Sequence, residues 1–195
     1  RSLRSDGWEV AVHGSYDSYL DPEALSDQRE KLERVSGGPV RGVRQHYLRF
    51  RVPETFRAQV DAGFAYDGTV GYRGTVGFRA GTAFPFRPFD TAAGQELPLL
   101  ELPLTVMDGP LFWQLKLGSS EASGRTLALL ETARSVEGLA VLLWHQRVWH
   151  EKRYPGWHQV YGRAVAHLYE EGQSWVATAG QVADWWLARE ALQLE

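Results

Sequence analysis

Short apolar runs with the character of β-strands alternate along this chain with longer stretches of helical spacing. The strand-like runs cover residues 8–12, 40–43, 64–66, 99–107 and 139–144. Helix-like segments separate most of them, and this alternation is typical of α/β proteins with a parallel sheet. We therefore predict an α/β fold, specifically a distorted (β/α) barrel with mainly parallel strands.

The helical segments have recognisable ends. Asp21, Pro22 and Glu23 combine an N-cap, a proline at the first helical position and an acid in the first turn. The helix that they start is predicted to run to about residue 35, where Gly37 ends it. Further helices are predicted over residues 53–62, 120–136, 159–171 and 180–192. Residues 68–98 follow neither period, which favours a functional loop that lines a crevice.

A polar residue follows each strand-like run. These residues are His13, Arg44, Asp67, Asp108 and His145. In parallel α/β folds the reactive groups lie at the carboxyl ends of the strands, where the loops open onto solvent. We therefore expect His13, Arg44, Asp67 and His145 to converge on one cleft, the layout of an enzyme.

Composition narrows the class of protein. The 195 residues carry a net charge of -3 and no basic cluster, so nucleic acid is not an expected partner. No apolar stretch approaches the roughly 20 residues that span a bilayer, and no signal core begins the chain. The absence of cysteine excludes disulfides and thiolate metal sites. Aromatic residues make up 12% of the chain, a surplus that suits stacking on sugar rings.

His13, the first of these polar residues, lies in a motif that resembles one of a known family. Gly7, Glu9, Val10 and His13 match the pattern Gly-His-Glu-Val-x-x-His, and the segment resembles the second motif of the polysaccharide deacetylase (NodB-homology) family. Trp8 departs from the pattern, and Asp17 stands where the family places a second metal-binding histidine. The resemblance implies a divalent metal, zinc first, held by His13 and Asp17. From spacing alone, a histidine hydrogen-bonded in a turn is the structural alternative.

Later motifs follow in the family's order. Arg44 resembles the arginine of the third motif, which orients the catalytic carboxylate, with His46 in place of the usual proline. Asp67 resembles the fourth-motif aspartate in the active-site wall. Leu142 and His145 fit the fifth motif, Leu-x-x-His, whose leucine lines the acyl pocket and whose histidine is the general acid. Taken alone, each of three residues has a structural alternative: Arg44 as a surface charge, Asp67 as a turn residue and His145 as a histidine at the edge of the core.

The resemblance implies one domain over residues 1–195 that removes acetyl groups from an N-acetylated or O-acetylated polysaccharide. The metal would polarise the acetyl carbonyl, and a histidine would protonate the leaving group. Besides Leu142, the residues expected to contact the carbohydrate are Trp144, Phe86, Tyr16 and His46.

The family's first motif, with its Asp-Asp pair, is absent from this sequence. Either the chain lacks the family's N-terminal strands, so that the barrel is incomplete, or it is a degenerate relative that binds carbohydrate without catalysis. Because the missing motif supplies the base and a metal ligand, we expect the chain to bind a divalent metal weakly or not at all. The sugar and the oligomeric state stay open.

Overall fold

The computed structural model describes residues 2–192 and has a mixed α/β fold whose central strands are parallel. The chain divides into two compact units. Unit 1 comprises residues 2–70, 85–102 and 177–192, and unit 2 comprises residues 71–84 and 103–176. The α/β class with mainly parallel strands is confirmed. Closure of these strands into a barrel and the single domain over residues 1–195 stay predictions.

The elements follow the predicted alternation. The helices are α1 (Ser2–Ser5), α2 (Pro22–Ser36), α3 (Glu54–Asp61), α4 (Ser119–Ser135), α5 (Trp157–Glu171) and α6 (Ala179–Glu190). The strands are β1 (Val12–Gly14), β2 (Gly42–Gln45), β3 (Tyr66–Asp67), β4 (Phe89–Asp90), β5 (Gln95–Glu96), β6 (Leu100–Glu101), β7 (Leu104–Met107) and β8 (Val141–Leu143). His13 and Arg44 therefore lie within their strands, each of which ends two residues later than the pattern predicted.

Side-chain caps fix the ends of two helices of unit 1. Asp21 accepts a hydrogen bond of 2.9 Å from the backbone N–H of Ala24, and Gly37 ends α2 with φ of 76°. At α6, the Thr178 hydroxyl accepts from the N–H of Gln181, while the Gln181 side chain accepts from the N–H of Thr178. These caps satisfy N–H groups that have no partner inside the helix.

Unit 1 is built on a parallel sheet with the strand order β1-β2-β3-β6. Its core contains Val12, Leu25, Val40, Val43, Phe56, Ala58, Ala62, Phe64, Val70, Leu97 and Leu99. Leu25 comes from α2 and Phe56 from α3, so both helices bury an apolar face against strand residues. A short antiparallel hairpin, β4-β5, completes the unit.

Glu9 connects two parts of unit 1. One carboxylate oxygen accepts from the Tyr66 hydroxyl on β3, and the other accepts from the backbone N–H of Gly180 at 2.7 Å. A Cβ at position 180 would lie 2.5 Å from the Glu9 carboxylate, so a larger residue there would displace the Glu9 side chain. Glu9 therefore positions the first turn of α6, which gives a structural reason for an acid at this point of the motif.

Unit 2 contains the parallel pair β7-β8 together with α4 and α5. Its core contains Val76, Val106, Leu111, Phe112, Ala122 and Val160. The predicted strand over residues 99–107 is divided in the structure: β6 belongs to unit 1 and β7 to unit 2. Pro103 lies between them and has no N–H to continue a ladder, which explains the break.

The prediction of an irregular loop over residues 68–98 is wrong for its last part, where β4 and β5 form a hairpin. Residues 68–88 contain no helix and no regular strand, as the sequence pattern indicated. Within this stretch, Phe86 forms an isolated antiparallel bridge with Glu101. Across residues 2–192, none of the helices has both the length and the apolar character needed to cross a membrane.

Candidate functional site

The parallel ladder of unit 1 brings three predicted site residues to one edge of the sheet. His13 on β1 pairs in register with Arg44 on β2, and Val43 pairs with Asp67 on β3. Asp67 pairs in turn with Glu101 on β6. His145 belongs to unit 2, so the sheet itself groups His13, Arg44 and Asp67, and the predicted convergence with His145 stays a prediction.

Asp67 and Glu101 form a buried pair of carboxyl groups. Neither side chain is exposed, and each carboxyl has a local hydrogen-bond donor: the Thr69 hydroxyl for Asp67 and the Val70 N–H, at 2.9 Å, for Glu101. Burial and the neighbouring Asp67 raise the pKa of Glu101 well above its usual range. Burial also raises the pKa of Asp67. Two buried carboxyls on neighbouring strands would repel each other if both were ionised, and these directions place a proton on the pair.

Arg44 is held beside this acid pair by the backbone of the neighbouring strand. Its Nε donates a 2.7 Å hydrogen bond to the carbonyl of Gly68. A Cβ at position 68 would lie 2.8 Å from the guanidinium, so the close approach needs glycine. Burial lowers the pKa of Arg44, while the charges of Asp67 and Glu101 oppose that effect. Asp67 is fully buried, and a catalytic role for Asp67 or Arg44 stays a prediction.

His13 contacts a second histidine that the sequence placed among the substrate-binding candidates. Its Nε2 lies 2.8 Å from Nδ1 of His46, and the two rings meet edge to face. Tyr16 and Tyr47 pack against the His46 ring, with centroid distances of 6.3 and 4.5 Å. Both tyrosines are largely exposed. The structure thus gathers His13, His46 and Tyr16, with Tyr47 added, into one aromatic and imidazole cluster.

Asp17, the other predicted metal ligand, has a different partner. Its carboxylate, 90% exposed, accepts a 3.1 Å hydrogen bond from Arg49. The guanidinium of Arg49 lies over the rings of Tyr16 and Tyr19, at 3.9 and 4.3 Å from their centroids. Arg49 is a cation beside the carboxylate, so this environment opposes a second cation at Asp17.

The donor set falls short of a catalytic zinc site. Zinc of this kind usually takes three protein ligands and leaves one position for water. Within residues 2–192, no group of three or more His, Asp or Glu side chains is arranged to hold a metal ion. The imidazole nitrogens of His13 and His46 converge, but they would supply two of the three protein ligands. A metal does not fit these residues as a complete site, and we derive no chemical step through one.

Unit 2 contains a histidine–carboxylate dyad. Nδ1 of His145 lies 2.7 Å from Oδ1 of Asp108, and the backbone N–H of His145 donates to Oδ2 at 3.0 Å. Oδ1 also accepts from the N–H of Gly109 at 2.7 Å. Asp108 is fully buried, and three donors fix its orientation. With Nδ1–H directed at the carboxylate, Nε2 carries the lone pair that can take up and return a proton.

Sequence reasoning flagged Asp108 at the end of a strand-like run without giving it a role. The pairing of β7 with β8 supplies that role, because Met107 lies opposite Leu143. Asp108 and His145 follow these two residues at the carboxyl ends of neighbouring strands. The strand-end position was the available signal, and the register that joins the two is visible only in the fold.

Leu142 and Trp144, expected at the substrate, pack on the core of unit 2. The indole N–H of Trp144 donates a 3.1 Å hydrogen bond to the carbonyl of Trp157 on α5. Both side chains are partly buried. These contacts anchor β8, and with it the backbone that carries His145, while contact of Leu142 and Trp144 with a substrate stays a prediction.

Phe86 lies in an apolar groove of unit 1 with a volume of about 200 Å³. The groove is lined by Phe50, Val52, Phe56, Val70, Phe86, Pro88 and Phe89. Phe89 is 52% exposed, so an aromatic face is accessible there. Carbohydrate binding by Phe86 stays a prediction. The residues that line the groove are apolar, so their side chains offer no hydrogen-bond partner to sugar hydroxyls.

Comparison with solved structures bears on the fold. A crystal structure from Mycobacterium smegmatis, of a protein provisionally named a polysaccharide deacetylase, superposes with a TM-score of 0.72 over 97% of this chain, at 24% sequence identity. The chain spans 66% of the length of that protein. No family model and no curated protein sequence matches the chain. At this level of identity the likeness concerns the fold, which is similar to that of the deacetylase-named protein.

Proposed function

We propose that the protein is a hydrolase that removes acetyl groups from an acetylated polysaccharide or glycan, with His145 as its proton-transfer group. The observation that carries the proposal is the dyad of His145 and Asp108. Its context is an α/β fold similar to that of a protein named as a polysaccharide deacetylase. A histidine oriented by a buried carboxylate is a recurrent arrangement for acid–base catalysis.

In the proposed reaction, a water molecule attacks the acetyl carbonyl carbon while Nε2 of His145 takes its proton. Nε2 then gives that proton to the sugar nitrogen or oxygen as its bond to the acetyl carbon breaks, and acetate is released. Asp108 keeps Nδ1–H in place and stabilises the imidazolium that precedes this transfer. The three hydrogen bonds to Asp108 hold the carboxylate before the reaction begins, so little reorganisation is needed. The family resemblance adds a divalent metal to this scheme, and the two imidazoles of His13 and His46 do not complete its site.

The test is release of acetate from two substrates, hexa-N-acetylchitohexaose for N-acetyl groups and acetylated xylan for O-acetyl groups. His145→Gln should lower the rate by about 10²–10⁴-fold. The matched control is His167→Gln, which removes another histidine–carboxylate pair of unit 2, Nε2 of His167 with Glu131 at 2.8 Å. An unchanged rate in His145→Gln, or an equal loss in the control, would overturn the proposal.

A specific observation favours a second function, carbohydrate binding without catalysis. Asp17 is hydrogen-bonded to Arg49, and the donors that converge at His13 are two imidazoles, those of His13 and His46. The metal site that polarises the acetyl carbonyl in the family is therefore incomplete in these residues. Binding of either substrate, with no acetate released by the parent protein at any tested metal concentration, would select this alternative.

A further inference from the structure

Unit 2 exposes a group of aromatic side chains next to the dyad. Trp113 and Trp149 are 40% and 51% exposed, so part of each indole ring is accessible to solvent. Tyr154 and Trp157 contact Trp113. We call these four residues, together with Arg147, the aromatic platform. Exposed indoles that the core does not need are candidates for binding.

The platform is held in place by ring contacts. Trp157 stacks on the buried Phe112 with centroids 4.2 Å apart, and Trp113 meets the edge of Trp157 at 5.1 Å. Trp149 meets Tyr161 of α5 edge to face at 5.8 Å. Edge-to-face contacts are favourable for aromatic rings and fix their orientation. The exposed indoles are therefore ordered before any ligand arrives.

The platform adjoins both members of the dyad. Trp113 lies in the helical turn Pro110–Gln114, which begins two residues after Asp108. Its ring lies close to Gly109, since a Cβ built there would be 3.3 Å from the indole. Trp149 ends the 3₁₀ turn Gln146–Trp149, which starts directly after His145. A ligand on the platform would thus lie on segments that directly follow both members of the dyad in the chain.

The platform also carries positive charge. The guanidinium of Arg147 lies 4.5 Å from the centroid of the Trp113 ring, a cation–π arrangement. Among residues 2–192, no carboxylate lies within ion-pair distance of Arg147, Lys152 or Arg153. The acid of this segment, Glu151, pairs with His158 at 2.9 Å. In a chain of net charge -3, a segment of seven residues with three cations and one carboxylate is locally positive and can accept an anion.

We propose that the aromatic platform binds a glycan with carboxylate-bearing sugars, such as uronic acid residues. Sugar rings present a face of C–H bonds that packs on an indole, which Trp149 and Trp113 offer. A guanidinium can bind a carboxylate through two parallel hydrogen bonds, and Arg147 is free of a competing acid among the described residues. This inference rests on the proposed function, because it names the substrate class of the site at His145.

An acidic glycan fits the platform better than the alternatives. A neutral glycan would use the indoles and leave three cations without a role. Single-stranded nucleic acid also stacks on aromatic rings beside cations. However, the three cations named here lie in one short segment, residues 147–153, of an acidic chain, whereas nucleic-acid-binding proteins extend positive charge along a groove. The adjoining dyad, suited to acyl hydrolysis, also favours a sugar.

The experiment uses the whole protein and isothermal titration calorimetry with two probes of equal length. One probe is the hexamer of galacturonic acid, and the other is its fully methyl-esterified form, which keeps the sugar rings and removes the charge. We expect the acid to bind at least tenfold more tightly than the ester. Its affinity should also fall with added salt, because exposed charges are screened.

Variants then assign the binding to the platform. Arg147→Gln should weaken binding of the acidic hexamer about tenfold, and Arg147→Lys should weaken it less, because charge remains without the two-pronged geometry. Trp149→Ala should weaken both probes, while Trp149→Phe should retain most of the affinity. Circular dichroism and the melting temperature establish that each variant is folded. Should Trp149→Ala be unfolded, the arginine pair of variants still decides the question.

Two matched controls test whether a surface arginine matters by its charge alone. Arg163→Gln removes an exposed arginine from α5 of the same unit. Arg189→Gln removes an arginine that lies 5.5 Å from the Trp185 centroid on α6 of unit 1. Neither should change the affinity for the acidic hexamer by more than about twofold. An equal loss in a control and in Arg147→Gln would overturn the proposal.

Other outcomes also count against it. Equal binding of acid and ester would reject the carboxylate, and tighter binding of a dodecamer of uridylate, lost in the same variants, would assign the surface to nucleic acid. Failure of the acidic hexamer to bind at millimolar concentration would reject the inference. The proposed function would then still stand if His145-dependent acetate release from hexa-N-acetylchitohexaose or acetylated xylan were observed. Binding of the acidic hexamer, with no acetate release from either acetylated substrate, would support the aromatic platform and count against the proposed function.

Discussion

Asp67 and Glu101 face each other on neighbouring parallel strands, at paired positions of β3 and β6, and both carboxyls are fully buried. If both buried carboxyls were ionised, they would repel each other and lack solvation by water. The pKa is raised for Asp67 and raised well above its usual range for Glu101. The folded protein therefore retains a proton that the unfolded chain releases near pH 4. The pair thereby couples folding to pH.

The first prediction concerns Glu101→Gln. Above about pH 4.5 the folded parent binds more protons at this site than the unfolded chain, so its stability falls as the pH rises towards the folded pKa. Glutamine can donate to Asp67 as a protonated acid does, and it keeps an oxygen for the Val70 N–H. We expect the variant to gain about 1–3 kcal/mol of unfolding free energy relative to the parent between pH 5 and pH 8.

Urea unfolding at the two pH values measures this difference. The control is Glu96→Gln, which removes an exposed acid from β5 of the same unit. If the difference between Glu101→Gln and the parent were the same at pH 5 and pH 8, the pair would not hold a proton in the folded state.

The second prediction concerns the dyad. If Asp108 acts through His145, the effects of removing either on acetate release should not multiply, because the two residues work as a unit. We expect the double variant Asp108→Asn/His145→Gln to be about as slow as His145→Gln alone. Asp108→Asn also loses an acceptor for a backbone N–H, so the melting temperature is measured alongside to separate stability from rate. Rate losses that multiply would show that Asp108 acts independently of His145.

The third prediction concerns metal binding. His13 and His46 offer two imidazole nitrogens, and each missing ligand removes both a bond and the orientation of the others. After incubation with zinc and dialysis, we expect the purified protein to retain well under one equivalent, with no difference in His13→Ala. His150→Ala, which removes an exposed histidine of unit 2, is the control. Stoichiometric zinc in the parent and in the control, lost in His13→Ala, would reveal a third ligand.

The sequence was most informative where local chemistry decides the structure. Asp21 and Gly37 marked the ends of α2 because caps depend on neighbouring residues alone. The polar residues at run ends were also identified from the local pattern, although His13, Arg44 and Asp67 lie within their strands and Asp67 and Asp108 are fully buried. Pro103 also carried the information that residues 99–107 form two strands, although the apolar run concealed it.

Partnerships across the fold could not be predicted in this way. Asp108 and His145 are 37 residues apart, and their contact depends on the register of β7 against β8. Glu101 lay inside an apolar run, and only the β3-β6 pairing shows that it meets Asp67. His46 was judged from its place in a motif, whereas its position beside His13 follows from the turn after β2. Register and turn geometry are set by the packing of the whole unit, which no local pattern encodes.

The fourth prediction concerns the ion pair of Arg57 and Asp90, which connects α3 to the β4-β5 hairpin. Both carboxylate oxygens accept from the guanidinium, and Oδ1 also accepts from the N–H groups of Ala92 and Ala93 at 3.0 Å. The hydrogen bonds from Arg57 lower the pKa of Asp90 to about 2. An aspartate in the unfolded chain titrates near pH 3.9.

Because the folded pKa is the lower one, the stabilisation by this pair is complete above about pH 4 and is lost as the pH falls towards 2. Asp90→Asn should therefore lower the melting temperature at pH 7, and the gap between variant and parent should narrow steadily from pH 4 to pH 2. The control is Asp27→Asn, in an exposed pair with Lys31 on α2, for which a much smaller gap is expected because exposed pairs contribute little. A gap that stayed constant down to pH 2 would show that Asp90 stabilises the hairpin through its shape and backbone contacts rather than through its charge.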